Sequence, residues 1–159
     1  MDLSLVILGI VLIFVLYYFL NRSGTDVLSN KLDLSIAQTP IDKKDIQEPS
    51  SRKYSYEMWM YVFNFQANSN YIISRDSSVV GKKNIGITLD KSSPKLVLEY
   101  TKNAGQATQV TITDNFPLQT WVHLIVSVDD TYIDAYMNGK LVKSMQDKEI
   151  DTPSATSPI

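Results

Sequence analysis

The sequence predicts an all-β body, an antiparallel sandwich of the jelly-roll kind, preceded by one apolar helix. Three observations carry this expectation. From Tyr54 onward, short runs of strand formers recur about every ten residues between turn signals. No stretch of that region shows the period of about 3.6 residues that marks an amphipathic helix. Ahead of it, Leu3 to Leu20 is an unbroken uncharged run.

Composition narrows the function classes. The chain has 159 residues and a formal net charge of -2, enough for one domain and too balanced for a nucleic-acid footprint. There are no cysteines, which excludes a disulfide framework, a thiol nucleophile and any cysteine zinc site and favours a reducing compartment. With a single histidine, His123, no metal site that needs two imidazoles of one chain is available.

Leu3 to Leu20, LSLVILGIVLIFVLYYFL, is about the minimum length that crosses a bilayer as a helix. Tyr17 and Tyr18 fall near its end, where amphipathic rings favour the interface. Residues 1–22 therefore read as an uncleaved, single-pass anchor in a lipid bilayer. A secretory signal fits less well, because Asp2 replaces the usual basic start and Asn21-Arg22-Ser23 is a poor cleavage site. Arg22 and Lys31 on the C-terminal side place the body on the cytoplasmic side. Asn21-Arg22-Ser23 is also formally a glycosylation sequon, read as a chance match beside the membrane.

Residues 23–51 are rich in Ser, Asp, Asn and Lys, with Pro40 and Pro49, and read as a polar tether. Within them Leu32, Leu34 and Ile36 alternate with polar residues, so Lys31 to Ala37 is a candidate edge strand. The body is expected over residues 52–146. Tyr54 to Phe65 alternates Tyr56, Met58, Met60 and Val62 against Glu57, Trp59, Tyr61, Phe63 and Phe65, and is expected to be a central strand. Tyr71 to Arg75 follows, then Ile85 to Leu89, with Ile85, Ile87 and Leu89 inward. Leu96, Leu98 and Tyr100 alternate in the next strand, and Val110 and Ile112 mark another.

Asn115 to Ser144 holds the clearest signals. From Trp121 to Val128 both alternating faces are mostly apolar, which predicts a strand buried on both sides. Asp129-Asp130-Thr131 interrupts the run, and Tyr132 to Met137 resumes it. Asn138-Gly139 then supplies two residues that tolerate positive φ, so Tyr132 to Met137 and Lys140 to Ser144 form a hairpin. Residues 147–159 are polar, contain Pro153 and Pro158, and read as a tail.

These residues resemble the concanavalin A-like, laminin-G-like jelly rolls. The likeness lies in Tyr54 to Phe65 with its central Trp59, Ile72 to Arg75, Ile85 to Asp90, and PLQTWVHLIVSVDDTYIDAYMNGKLVKS, and it covers about residues 52–145. Members of the family usually add a glycine-rich segment and a closing strand, so here the jelly roll is expected to be incomplete at its C-terminus. The missing strand would come from Lys31 to Ala37 or from another protein. The Glu-x-Asp-x-x-Glu strand of related glucanases is absent from the sequence, and so is the metal-binding run of legume-type lectins. The resemblance thus implies a protein that is not an enzyme and has no cofactor.

Asp90, Asp129 and Asp130 are the candidate calcium ligands, the alternative being turn residues that bond their own backbone. His123 beside Trp121 reads as a satisfied strand residue rather than a base. Tyr54, Tyr56, Tyr61, Tyr132 and Tyr136 suit either cross-strand packing or sugar stacking. Lys140, Leu141, Val142 and Lys143, with Tyr132 and Tyr136, are the candidate interface. The arrangement is similar to small membrane-anchored laminin-G-like proteins of large icosahedral DNA viruses. That likeness implies a structural virion component, a minor capsid or internal-membrane protein beneath the capsid, whose partners are capsid proteins. The alternative is a membrane-anchored glycan-binding lectin.

Overall fold

The computed structural model describes residues 3–20, 32–33, 36, 38–46, 48–64, 71–156 and 159, with helix side chains described over 7–18. The chain divides into two compact units, Met1–Asp33 and Leu34–Ile159. In the first, helix α1 spans Leu3–Leu20, and its apolar side chains from Ile7 to Tyr18 are exposed with no polar stripe among them. Its 18 residues reach about 27 Å at about 1.5 Å per residue, against a hydrocarbon core of about 30 Å. Among the described residues no helix is long and apolar enough to cross a membrane. The predicted anchor bounds Leu3 and Leu20 are described in backbone only, and Arg22, Lys31 and the sequon lie outside the described residues.

The second unit is a two-layer sandwich. Its strands are β1 (Lys53–Tyr61), β2 (Tyr71–Asp76), β3 (Lys83–Leu89), β4 (Leu96–Thr101), β5 (Ala107–Thr113), β6 (Trp121–Asp129), β7 (Tyr132–Met137) and β8 (Lys140–Gln146). One antiparallel sheet has the order β1-β6-β7-β8, the other β2-β3-β4-β5. Alternation decides which side chains meet between the layers. Tyr56 and Met60 from β1, Val122, Leu124, Val126 and Val128 from β6, and Ile133 and Ala135 from β7 face Ile85, Ile87, Leu96, Leu98, Tyr100 and Ile112 of the other sheet. Each such aliphatic side chain contributes about 1.5–3 kcal/mol by leaving water. The predicted jelly-roll-like, all-β sandwich is therefore observed.

Several expectations need correction. β1 is an edge strand, because only β6 pairs with it. β6 is buried on one face only: Trp121 is exposed and His123, Ile125 and Ser127 are half-buried, since no third layer covers that side among the described residues of the body. Phe65 lies outside the described residues. In the candidate strand Lys31 to Ala37, the described residues Leu32 and Ile36 are exposed and not in a strand.

The tail is the largest departure, for residues 147–156 and 159 do not hang free. Ile150 is buried and forms an antiparallel bridge with Lys102. Pro153 bridges Ser77, the Asp151 amide donates to the Thr101 carbonyl at 2.9 Å, and the Ser154 amide donates to Asp76 at 2.8 Å. Ile41 and Ile159 exchange backbone bonds of 2.8 and 3.1 Å. The tail is irregular backbone laid across the ends of β2 and β4. Its apolar residues, Ile150, Pro153, Ala155, Pro158 and Ile159, are scattered and show no alternation that would register as a strand pattern.

Candidate functional site

The outer face of the β1-β6-β7-β8 sheet carries the exposed aromatic side chains of the body. In β1 the inward set is Tyr54, Tyr56, Met58 and Met60, so Glu57, Trp59 and Tyr61 point out. Cross-strand register sets Trp59 opposite His123 and Tyr61 opposite Trp121. The Trp59 and His123 rings stack at 4.7 Å and 19°. Tyr61 meets Trp121 edge to face at 5.5 Å and Phe63 at 4.8 Å. Trp59, Trp121 and Phe63 nonetheless remain 64%, 57% and 73% exposed. Both tryptophans of the chain thus belong to one surface.

His123 is fixed from three sides. Its ring Nε2 lies 2.8 Å from a Glu57 carboxylate oxygen, its amide donates to Asn138 Oδ1 at 2.9 Å, and its carbonyl accepts from the Asn138 amide at 2.8 Å. Asn138 and Gly139 adopt φ of 49° and 76°, the two left-handed residues a type I′ turn requires. The hairpin turn therefore braces the residue on which Trp59 rests. On the other half of the face, Tyr136 pairs with Leu141 in register, with a bulge beside it, and Tyr132 stands opposite Gln146.

The candidate calcium ligands are not brought together. Asp90 follows β3, at the end of the sandwich where β1 finishes and β6 begins, and accepts from the Ser92 and Ser93 amides at 2.9 and 3.0 Å. The Ser92 amide foremost, then the Ser93 hydroxyl, hold its carboxyl below the usual carboxylate range. Asp129 and Asp130 sit at the opposite end, a nine-residue strand away, which is about 30 Å. There Asp129 pairs with Lys53 at 2.8 Å and Asp130 with Arg52 at 2.6 Å. Among the described residues no three His, Asp or Glu side chains gather as metal ligands would. Of the five candidate tyrosines, Tyr54 and Tyr56 face the interior and only Tyr61, Tyr132 and Tyr136 are turned outward.

Sequence reasoning missed a buried polar cluster at the tail end. Asp151 accepts from the Ser77 hydroxyl and, at 3.0 Å, from that of Ser78. Asn84 accepts from the Tyr54 hydroxyl and donates to the Asp151 carbonyl. Arg75 lies buried over the Tyr54 ring at 5.3 Å, with a guanidinium nitrogen donating to the Pro49 carbonyl. Burial foremost drives the Tyr54 hydroxyl far above the ordinary tyrosine range. Only the polar interruption at Asn84 next to an apolar strand hinted at this cluster, whose partners are 67 residues apart.

Residues 37–159 match the family model described as the Concanavalin A-like lectin/glucanases superfamily. Among solved structures, the crystal structure of the binding domain of Paraclostridial Mosquitocidal Protein 1 is similar at a TM-score of 0.46 and 16% identity. That match covers 64% of this chain and 28% of the other. No curated protein matches.

Proposed function

The chain belongs to the concanavalin A-like lectin/glucanases superfamily, and on that premise we propose that it is a non-catalytic interaction module, held at a membrane by α1, that docks a protein partner through β7 and β8. The observation that carries this reading is the state of β8. It is the last strand of its sheet, and it leaves Leu141 and Val142 54% and 40% exposed, with Tyr136 opposite Leu141 in register. Apolar side chains on a sheet margin suit a protein interface. Lys140, Lys143 and the bulge opposite Tyr136 disfavour addition of a partner strand, so docking proceeds through side chains. The finer setting, a capsid shell above an internal virion membrane, rests on the resemblance to anchored proteins of large DNA viruses.

The chain has no cysteine, so single thiols can be placed at will. With a photo-crosslinker on Leu141→Cys in native membranes, a discrete adduct to one protein is expected, and none from Val80→Cys at the exposed β2-β3 turn. Equal labelling from both positions would sink the proposal. A second reading, glycan binding, is favoured by one feature: Trp59 offers a ring flanked by the Glu57 carboxylate, a pairing suited to the apolar face and hydroxyls of a sugar. Reproducible signal on a glycan array, lost in Trp59→Ala with the fold kept, would move the assignment to a lectin.

A further inference from the structure

The end of the sandwich where β1 finishes and β6 begins differs in kind from the end closed by the tail. It gathers Phe63, Leu118 and Trp121, all exposed, with Trp59 and Tyr61 one step behind. The Gln119 amide donates to the Val62 carbonyl at 2.8 Å, which ties the Leu118 segment to the end of β1. The Phe116 amide donates to Pro94 at 2.7 Å and brings in the β3-β4 loop. That loop exposes Lys91 and Lys95, and the hairpin turn adds Lys140. None of the three makes an ion pair among the described residues; at the tail end Lys53, Arg52, Lys83 and Lys102 are paired with acids, while the exposed Lys82 and Lys148 are not. The acids at or beside the aromatic end are Asp90, engaged with Ser92 and Ser93, Asp114, and Glu57, whose carboxylate lies 2.8 Å from His123 Nε2.

From this arrangement we propose that the β1-β6 end of the sandwich is a second membrane contact, which lays its aromatic rings into the headgroup layer of an anionic bilayer with the three lysines around them. Trp and Tyr rings are amphipathic and partition to the membrane interface, and unpaired lysines beside them gain from anionic headgroups. A sugar platform would account for Trp59 and Glu57, but it leaves Phe63, Leu118 and the lysines without a role. The inference rests on the reading that the protein is membrane-held, and it adds that the body lies against the bilayer rather than standing off on its tether.

The test uses the full chain and its own reporters, because both tryptophans are on this surface and α1 contains none. Reconstitution in phosphatidylcholine vesicles containing about a third phosphatidylglycerol should blue-shift the tryptophan emission, and brominated acyl chains should quench it. Phe63→Asp and the pair Lys91→Glu/Lys95→Glu should each restore the emission of water-exposed indole, with circular dichroism unchanged. In the lysine pair, the fraction of docked bodies should fall about tenfold or more. Flotation of the vesicles reports α1 separately. A chain that floats with unquenched tryptophans keeps the membrane-held reading and overturns the docking. A chain that neither floats nor is quenched overturns both. Protection of the tryptophans from aqueous acrylamide by a soluble oligosaccharide, without quenching by brominated lipid, would also overturn the inference and support the lectin.

Discussion

Gly86 sits in the middle of β3 with the ring of Tyr71 laid directly over it, so that a Cβ at this position would overlap the ring. The Tyr71 hydroxyl donates to Glu99 at 3.0 Å, which holds the ring in place across β3. Gly86→Ala is therefore expected to cost about 1–3 kcal/mol through overpacking, read as a lower urea midpoint, and Tyr71→Ser should relieve most of that loss. Leu124 is fully buried between the sheets, and Leu124→Ala is expected to cost about 2–5 kcal/mol. At this scale the sequence was legible wherever alternation alone decides: Met60, Ile87, Leu98 and Leu124 all point inward as their spacing implies. It was not legible for Tyr54 and Trp59. Their patterns put them on opposite faces, yet nothing local says that the Trp59 face meets solvent, since that depends on whether a third layer exists.

The hairpin of β7 and β8 was the most legible element, because two adjacent residues that accept positive φ leave few alternatives. Gly139→Val would force a β-branched residue to φ near the observed 76°, at a cost of about 1–2 kcal/mol. Because Asn138 also holds His123, the same change should loosen Trp59 and alter its fluorescence. The tail was the least legible element. Its hold comes from Asp151, Ser77, Asn84 and Thr101, residues that meet only once β2, β3 and β4 have paired and the tail has folded back on them. Asp151→Ala removes a buried acceptor from two serine hydroxyls and is expected to cost about 1.5–3 kcal/mol. Thermal unfolding of the variant, with the aromatic-face fluorescence intact, would show that the tail end loosens alone.

For the whole molecule, stability should be level near neutrality and fall at both extremes of pH. On the acid side, burial raises the Asp147 carboxyl, but the Tyr100 hydroxyl, the Glu149 amide and Lys102 together outweigh it and leave the group below its ordinary 3.8. A depressed carboxyl stabilises the fold above that value, and the contribution is lost as pH falls below it. Asp147→Asn should accordingly flatten the acid limb in urea titrations below about pH 4. On the alkaline side, burial foremost raises Tyr54, Tyr56 and Tyr100 above the usual 10.0. Their contribution is present below that value and is lost as pH climbs past it, so Tyr100→Phe should flatten the alkaline limb above about pH 10. Sheet membership was beyond the reach of local pattern, because one pairing in the sandwich joins distant strands. Strands β2 to β5 and β6 to β8 are simple meanders, while β1 waits for β6, across a gap of roughly sixty residues. Closing that gap is the slow entropic step of the topology. During synthesis, β1 emerges long before its partner exists, carrying Tyr56, Met58 and Met60 on one side and Trp59 and Tyr61 on the other. Within the body, a nascent-chain holdase would meet this segment first, and its grip would have to last until Asp129 clears the ribosome.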